Sequence, residues 1–437
     1  MKTKMVSVVT FSILFFISLT CLIGNNKMAL ENRTLANFNM VLKPDIESVV
    51  YSDSMLERFE VAMKDQFYFR DNFIISYLSI DNLCTVVSKS IFANSDNFQR
   101  QYSYTVIGDY AEIDGTEYLM RIPEVEVVTD ATIQIHMNQI EYIHQKYPKI
   151  RFYSYYVTQV DETGWFNNYL GTEVSSLYDQ VEAILPEYVR SGRLQYDDLE
   201  DYKHCHYASD HHWNHIGARR GYEDIYGIMK RDLGLSDVKT PVKEWHFSEL
   251  YDYRYVGSFA RRLGELYSGE DNFSAYEYNL GERKIFAINP ETFEEIQLRE
   301  LGLFNEYAAG EVDTSLDHYI AYYGRGIPES GNEIYGDNNA IYLIKNEEPE
   351  TSHNLLIYGD SYNRAIRDVL ASHFDTTLYF QRDILVNYED VFIDELIEEY
   401  DIDVILYSGN KSIWTTDSYV FDFFADDSIK QMEGNNN

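Results

Sequence analysis

Cysteine is almost missing from this chain: three in 437 residues, with Cys21 inside an apolar run and Cys84 and Cys205 far apart. That scarcity excludes a disulfide framework and any CxxC pair for metal or redox chemistry, and leaves a single Cys84–Cys205 bridge as the one open pairing. Such sparse use fits an exported bacterial protein and a cytosolic one equally. Positive charge is scarce too. With 36 Lys+Arg against 72 Asp+Glu the formal net charge is -36, which repels phosphate backbones and anionic lipid and so excludes nucleic acid as a partner of the globular part. Long single-sign acidic blocks are absent, so the charge belongs to a generally acidic surface. No internal repeat is present.

The long hydrophobic run at residues 5–23 is uncharged, preceded by Lys2 and Lys4 and followed by Lys27. A basic start before such a run is an export pattern, which places the protein outside the cytoplasm. The run is long enough to span a bilayer and no A-x-A cleavage site follows it, so it reads as an uncleaved membrane anchor in preference to a removed signal peptide. Ser-Leu-Thr-Cys, ending at Cys21, lacks the small residue usual before a lipidated cysteine.

Behind this anchor or signal peptide (1–27), residues 28–100 read as a linker and a helical appendage. Ser54-Met55-Leu56-Glu57 is a capping box, Phe59, Met63 and Phe67 follow at four-residue spacing, and a second helical stretch covers 73–88. The rings of Phe59, Phe67, Phe69 and Phe73 need cover, so the appendage is expected to pack on the domain that follows.

That domain, 101–425, alternates. A β-rich opening at 102–128 precedes a helix carrying Ile133, Met137, Ile140 and Ile143, a strand at 150–157, and a helix carrying Val174, Leu177, Val181 and Ile184. Later come strands at 354–358, 377–380 and 404–407, with a helix at 391–400 between the last two. Alternation of this kind predicts an α/β fold with a mainly parallel sheet, helices on both faces, and ligands at the carboxyl ends of the strands. Residues 244–346 read as an insertion of long loops and short strands, and 426–437 as a disordered tail. A composition of 45% hydrophobic and 15% aromatic residues supplies the core.

Two motifs carry chemistry. Gly359-Asp360-Ser361-Tyr362 sits where the strand at 354–358 gives way to a helical pattern at 362–373, with Ile366, Val369, Leu370 and His373 on one side. A serine on such a turn faces the first free amides of the helix, so the amides of Ser361 and Tyr362 are candidate oxyanion donors and Asp360 a capping residue. Asp210-His211-His212-Trp213 supplies the rest. Residues two apart in an extended or loop segment share a side, which lets Asp210 accept from Nδ1 of His212 while Nε2 faces Ser361, and turns His211 elsewhere. Trp213 either walls the site against water and substrate or covers core below the next helix, whose apolar positions are Tyr222, Ile225, Tyr226, Met229 and Leu233. An acid, a base and a serine in this relation make a hydroxyl nucleophilic at neutral pH.

A metal reading competes. Five of the 11 histidines, His204, His206, His211, His212 and His215, lie beside Cys205 and Asp210, and His211 and His215 have the i, i+4 spacing of chelating pairs. Against a zinc hydrolase, no glutamate follows His211 to act as base. The nucleophile reading needs no metal and no cofactor.

At these residues the sequence resembles the DHHW family of Gram-positive bacteria, itself similar to the SGNH hydrolase-like domains of alginate O-acetylation proteins of the AlgX and AlgJ type. Glu31-Asn32-Arg33-Thr34-Leu35-Ala36, Asp71-Asn72-Phe73, and Gly257-Ser258-Phe259 with Arg261 and Arg262 extend the likeness over nearly all of the chain after residue 28. The resemblance implies that Asp210, His212 and Ser361 are a triad in the order acid, base, nucleophile, whereas ordinary SGNH esterases place the serine first. SGNH enzymes commonly add an asparagine to the oxyanion hole, and Ser408-Gly409-Asn410 offers Asn410, which reads equally as a turn residue. Arg261 and Arg262 are available to acidic sugars or to surface ion pairs. The implied activity is that of an exported O-acyltransferase or esterase acting on cell-surface carbohydrate, with transfer favoured and a membrane-bound acyltransferase as possible donor partner. The contrasting expectation is a catalytically idle module that binds polysaccharide or scaffolds a cell-surface complex.

Overall fold

A computed structural model describes residues 130–165, 177–246, 257–263, 274–289, 292–301, 340–381 and 393–415, with shorter pieces between 59 and 121, at 271–272 and at 305–307. The apolar run at 5–23, the capping box at Ser54, Phe67, Phe69 and the tail lie outside the described residues, and among those described no helix is long and apolar enough to cross a membrane. Phe59 and Phe73 are helical as their spacing predicts, but they stand 45% and 62% exposed. The cover expected for the appendage is therefore not found at these two rings, because spacing marks an apolar stripe without specifying what lies against it.

Strands β1 (Thr105–Ile107), β2 (Tyr110–Glu112) and β3 (Leu119–Arg121) make a small antiparallel sheet. The main sheet has eight strands: β4 (Arg151–Val157), β5 (Val189–Leu194), β8 (Arg283–Ile288), β9 (Glu295–Leu301), β11 (Ile341–Asn346), β12 (Asn354–Gly359), β13 (Thr376–Gln381) and β14 (Val404–Gly409). Its spatial order is β5-β4-β14-β12-β13-β11-β8-β9. The first five run parallel, and β11, β8 and β9 continue antiparallel. The remaining strands, β6 (Lys243–His246), β7 (Ser274–Asn279) and β10 (Asn305–Tyr307), form a third sheet.

The region read as an insertion thus supplies β8, β9 and β11 to the main sheet. Its polar strands, with Arg283, Lys284, Glu295 and Gln297, conceal the period because the sheet's antiparallel end is less enclosed than its parallel centre. β5, VRSGRL, hides in the same way: only its terminal Val189 and Leu194 are fully buried.

Alternate residues of the central strands feed two cores. Tyr153, Tyr155, Leu355, Ile357, Val404 and Leu406 face one side, where α4 (His215–Leu233) packs through Tyr222, Ile225, Tyr226 and Met229. Phe152, Tyr156, Leu356, Tyr358, Ile405 and Tyr407 face the other, covered by α1 (Asp130–Lys146), α2 (Leu177–Ile184) and α7 (Ile393–Glu399). Two shorter helices, α3 (Leu199–Cys205) and α5 (Ser258–Leu263), flank the segment that precedes α4. Burial of Ile133, Met137, Ile140 and Ile143 is what fixes α1, at about 1.5–3 kcal/mol per side chain.

The expected helix at 362–373 is split. A 3-10 turn, Ser361–Ala365, gives way at Ile366 to α6 (Arg367–Ala371). Connections after neighbouring strands diverge: the turn after β12 packs Tyr362 and Ile366 into the α4-side core, whereas α8 (Ser412–Thr415) after β14 packs Ile413 and Trp414 into the other. The diverging connections lie at the carboxyl ends of β12 and β14, the place where open α/β sheets bind ligands.

His206 tests this core. It is buried, stacked on Tyr202 at 4.3 Å, and burial followed by the charge of His212 pushes its pKa from the ordinary 6.5 to about 3. The unfolded chain binds a proton that the folded one refuses, so stability is full above about pH 6.5 and falls as pH drops towards about 3. His206→Gln is expected to flatten that decline by one proton, read from thermal midpoints of both proteins across the window.

Candidate active site

Ser361 is placed by the end of β12. The run NLLIYG is buried from Leu355 onward, and at Gly359 a Cβ would strike the Asn363 side chain and the Ser408 carbonyl. Close approach of β14, more than a sharp bend, is what requires glycine there. Asp360 caps the turn as expected: Oδ1 accepts from the Tyr362 amide at 3.0 Å, while Oδ2 accepts from the Asn410 amide at 2.9 Å. Asn363 adds a 2.7 Å bond to the Ser408 carbonyl, so the serine turn and the end of β14 are locked together.

The other half comes from the segment before α4. A bridge pairs His206 with Trp213, and the Asn214 side chain caps α4 by accepting from the amides of Ile216 and Gly217. Between them Asp210 and His212 turn inward. His212 Nδ1 lies 2.7 Å from Asp210 Oδ1, and His212 Nε2 lies 2.8 Å from Ser361 Oγ.

Asp210 is 2% exposed. Burial alone would raise its pKa, but the imidazoles of His211 and His212 and the Ser258 amide on Oδ2 outweigh it and hold the carboxyl well below the usual range. An ionised carboxylate only accepts, so the His212 proton resides on Nδ1 and Nε2 is left to accept from the serine.

Further contacts hold this loop. Asp271 accepts from the amides of Ala208 at 2.6 Å and Ser209 at 2.8 Å, and the Ser209 hydroxyl accepts from the Gly257 amide at 2.8 Å. At Gly257 a side chain would overlap Asp210 and the Ser209 carbonyl. The Gly257-Ser258 match thus has a physical role, in that it brings an amide to the carboxylate. Tyr362 links the halves: its hydroxyl donates to the His211 carbonyl and accepts from Gln159 Nε2 at 3.1 Å, and its ring lies 5.0 Å from that of His212. Sequence reasoning missed Asp271 and Gln159. The position of Gln159 just past a parallel strand was a usable signal; Asp271 gave none.

Several expectations need correction. His211 does not point away: its Nδ1 lies 3.2 Å from Asp210 and 3.0 Å from Ser258 Oγ, and its ring is 3.9 Å from that of His212. The segment is a series of bends, so strand alternation does not apply. Trp213 cannot wall a cleft to meet substrate. It is 1% exposed, edge-on to Tyr362 and roofed by Gly217 and Gly221 of α4. The Tyr362 amide is committed to Asp360, which leaves the Ser361 amide, first of the turn and without an intrahelical partner, as the backbone donor. Asn410 uses its side-chain oxygen to accept from Ser412 at 2.7 Å, the turn role foreseen for it, and this assigns Nδ2 as its donor edge. Arg261 and Arg262 lie on α5, and their side chains are outside what is described.

The histidine cluster divides. His204 is exposed on α3, His206 is stacked in the core, and His215 bonds Glu244 at 3.0 Å. Cys205 is buried 3.7 Å from Arg220, and neither it nor the exposed Cys84 is in a disulfide. Among the described residues, Asp210, His211 and His212 are the group with metal-ligand atoms within 4.8 Å of one another.

No family model matches this chain, and no curated protein matches it significantly. Solved structures do. PatB1 of Bacillus cereus aligns with 18% identity and a TM-score of 0.51, over 70% of this chain and 97% of that one. A DHHW family protein from Eubacterium siraeum aligns with 12% identity and a TM-score of 0.48, over 74% and 94%. The O-acetyltransferase domain of Pseudomonas putida AlgJ aligns with 11% identity and a TM-score of 0.38, over 74% and 97%. The PatB1 match shows a shared fold.

Asp210→Asn, which frees His212 to take the wrong tautomer, is expected to slow reaction of Ser361 with an organophosphorus electrophile by about 10³–10⁴-fold. Tyr362→Phe should slow it about 10-fold, the scale of one lost hydrogen bond. Stopped-flow labelling rates decide; an Asp210→Asn rate equal to the parent's would mean the serine is not activated through His212.

Proposed function

We propose that the protein is an exported serine O-acyltransferase or esterase that adds or removes acetyl groups on cell-surface carbohydrate. The observation that carries the chemistry is the line Asp210–His212–Ser361, with contacts of 2.7 and 2.8 Å at the carboxyl end of a parallel strand. Ser361 Oγ attacks an acyl carbonyl while His212 Nε2 takes its proton, and Asp210 stabilises the imidazolium so formed. The oxyanion is met by the Ser361 amide with Asn410 Nδ2 as a side-chain donor. Collapse expels the leaving group with that proton and leaves an acyl ester on Ser361.

A sugar hydroxyl or water then loses its proton to His212 Nε2 and attacks the ester, which regenerates the serine. Transfer and hydrolysis differ only in this acceptor. The likeness of the motifs to O-acetylation proteins favours transfer, and the apolar run at 5–23 would keep the enzyme at the outer membrane face, within reach of a membrane-bound acyl donor partner.

A fluorophosphonate probe is expected to label the protein, and Ser361→Ala to abolish the label. Folded protein that resists the probe would favour the idle binding module. With an acetylated glycan, release of acetate marks an esterase and movement of acetyl onto a second glycan marks a transferase. A chelator should leave either activity unchanged; loss restored by zinc would hand Asp210, His211 and His212 to a metal.

A further inference from the structure

Beyond the triad, the same edge of the sheet holds a cavity of about 430 Å³ at the ends of β4 and β5. The two strands make a second divergence. The chain after β4 leads to α2, whose Leu177 and Val181 join one core, whereas the chain after β5 leads to α3, whose Tyr202 joins the other. Parallel strands put this crevice and Ser361 at the same edge, with β14 between β4 and β12. Neighbouring strands are about 4.8 Å apart, so cavity and serine are separated by the span of a short oligosaccharide, about 10–15 Å. The wall between them is shared, since Gln159 bonds Tyr362 and Asp161 bonds Lys411 at 2.9 Å.

The lining has a definite chemistry. Thr158 is 5% exposed and lines the cavity, and its hydroxyl oxygen, itself shielded from solvent, has no hydrogen-bond partner in the protein. A buried hydroxyl left unpaired costs about 1–3 kcal/mol, which rotation of the Thr158 side chain towards a ligand hydroxyl in the cavity would relieve. Trp165 offers an aromatic wall of the kind on which the CH face of a sugar ring rests. Among the described residues of the lining Arg193 is the cation, and it is already paired with Asp179 at 2.8 Å. Glu162 is buried with its carboxylate bonded to Tyr156 and to the amides of Gln159 and Leu177, and the exposed Asp197 leaves the balance negative.

Resting on the acyl-transfer reading, we infer that this crevice is the acceptor subsite and that it takes an uncharged or amino sugar, excluding uronates and phosphorylated glycans. A carboxylate on every sugar would meet like charge, with no unpaired cation among the described lining residues to offset it. An acyl chain is equally excluded, because the lining is mainly polar.

The test uses the full chain carrying Ser361→Ala, so that binding is read without turnover. A panel of gluco-, galacto-, manno- and N-acetylglucosamine tetrasaccharides is titrated against a galacturonate tetrasaccharide, by calorimetry and protein NMR. At least one neutral or amino member is expected to bind, and about 10-fold or more tighter than the uronate. Thr158→Val should weaken it about 5-fold. The surface change Asp197→Lys should narrow the preference over the uronate. Binding by no neutral or amino member, tighter binding of the uronate, or indifference to both substitutions would overturn the subsite. Fluorophosphonate labelling of the parent protein is scored in parallel: labelling without sugar binding sinks the subsite alone, and sugar binding without labelling sinks the acyl-transfer reading alone.

Discussion

A buried aspartate that cannot be left alone organises this protein. Asp210 is removed from water, and an isolated carboxylate there would cost several kcal/mol or take up a proton. It stays ionised because His212, the Ser258 amide and the neighbouring His211 surround it. Two of those partners are its own neighbours and the third starts α5, so a charged Asp210 requires the segment before α4 and the start of α5 to be assembled together, and His212 then extends the line to Ser361. Orientation of the base is a consequence of solvating the acid.

The sheet meets this requirement from the other side. Buried strands with period-two alternation fix where β12 and β14 end, and Asp360, with one oxygen for each of two amides, welds those ends into one rigid rim. Tyr362 then reaches across to the His211 carbonyl and Gln159, which joins the acid-base loop to the serine turn through a single hydroxyl. Connections diverge after β12 and β14, and again after β4 and β5, where a cavity lies on the same edge. A serine turn and a polar cavity on one edge are the arrangement that the proposed transfer between two ligands would use.

Much of this was legible in residue order. The strands at 150–157, 354–358 and 404–407 and the helices around Ile133 and Tyr222 appear within a residue or two of the expected places, since each is buried on both faces or carries a full apolar stripe. β5, β8 and β9 were not legible as sheet strands, because charged and small residues break their alternation. The spacing of Asp210 and His212 pointed to a shared direction, which the bends of that segment keep, but bends do not alternate as a strand does, so the placing of His211 failed, and the wall alternative for Trp213 failed on its burial.

The sequence by itself determined the chemical kinds available: an acid and a base two residues apart, a serine after a buried strand, an acidic surface and an apolar amino-terminal run. Local patterning settles these because burial period and turn chemistry are properties of a few adjacent residues. Which groups meet, which amides are already committed and where a cavity remains were decided only by tertiary structure. Those outcomes depend on contacts between residues about as distant as Asp210 and Ser361, and packing, with its demand that every buried charge find a partner, selects among them.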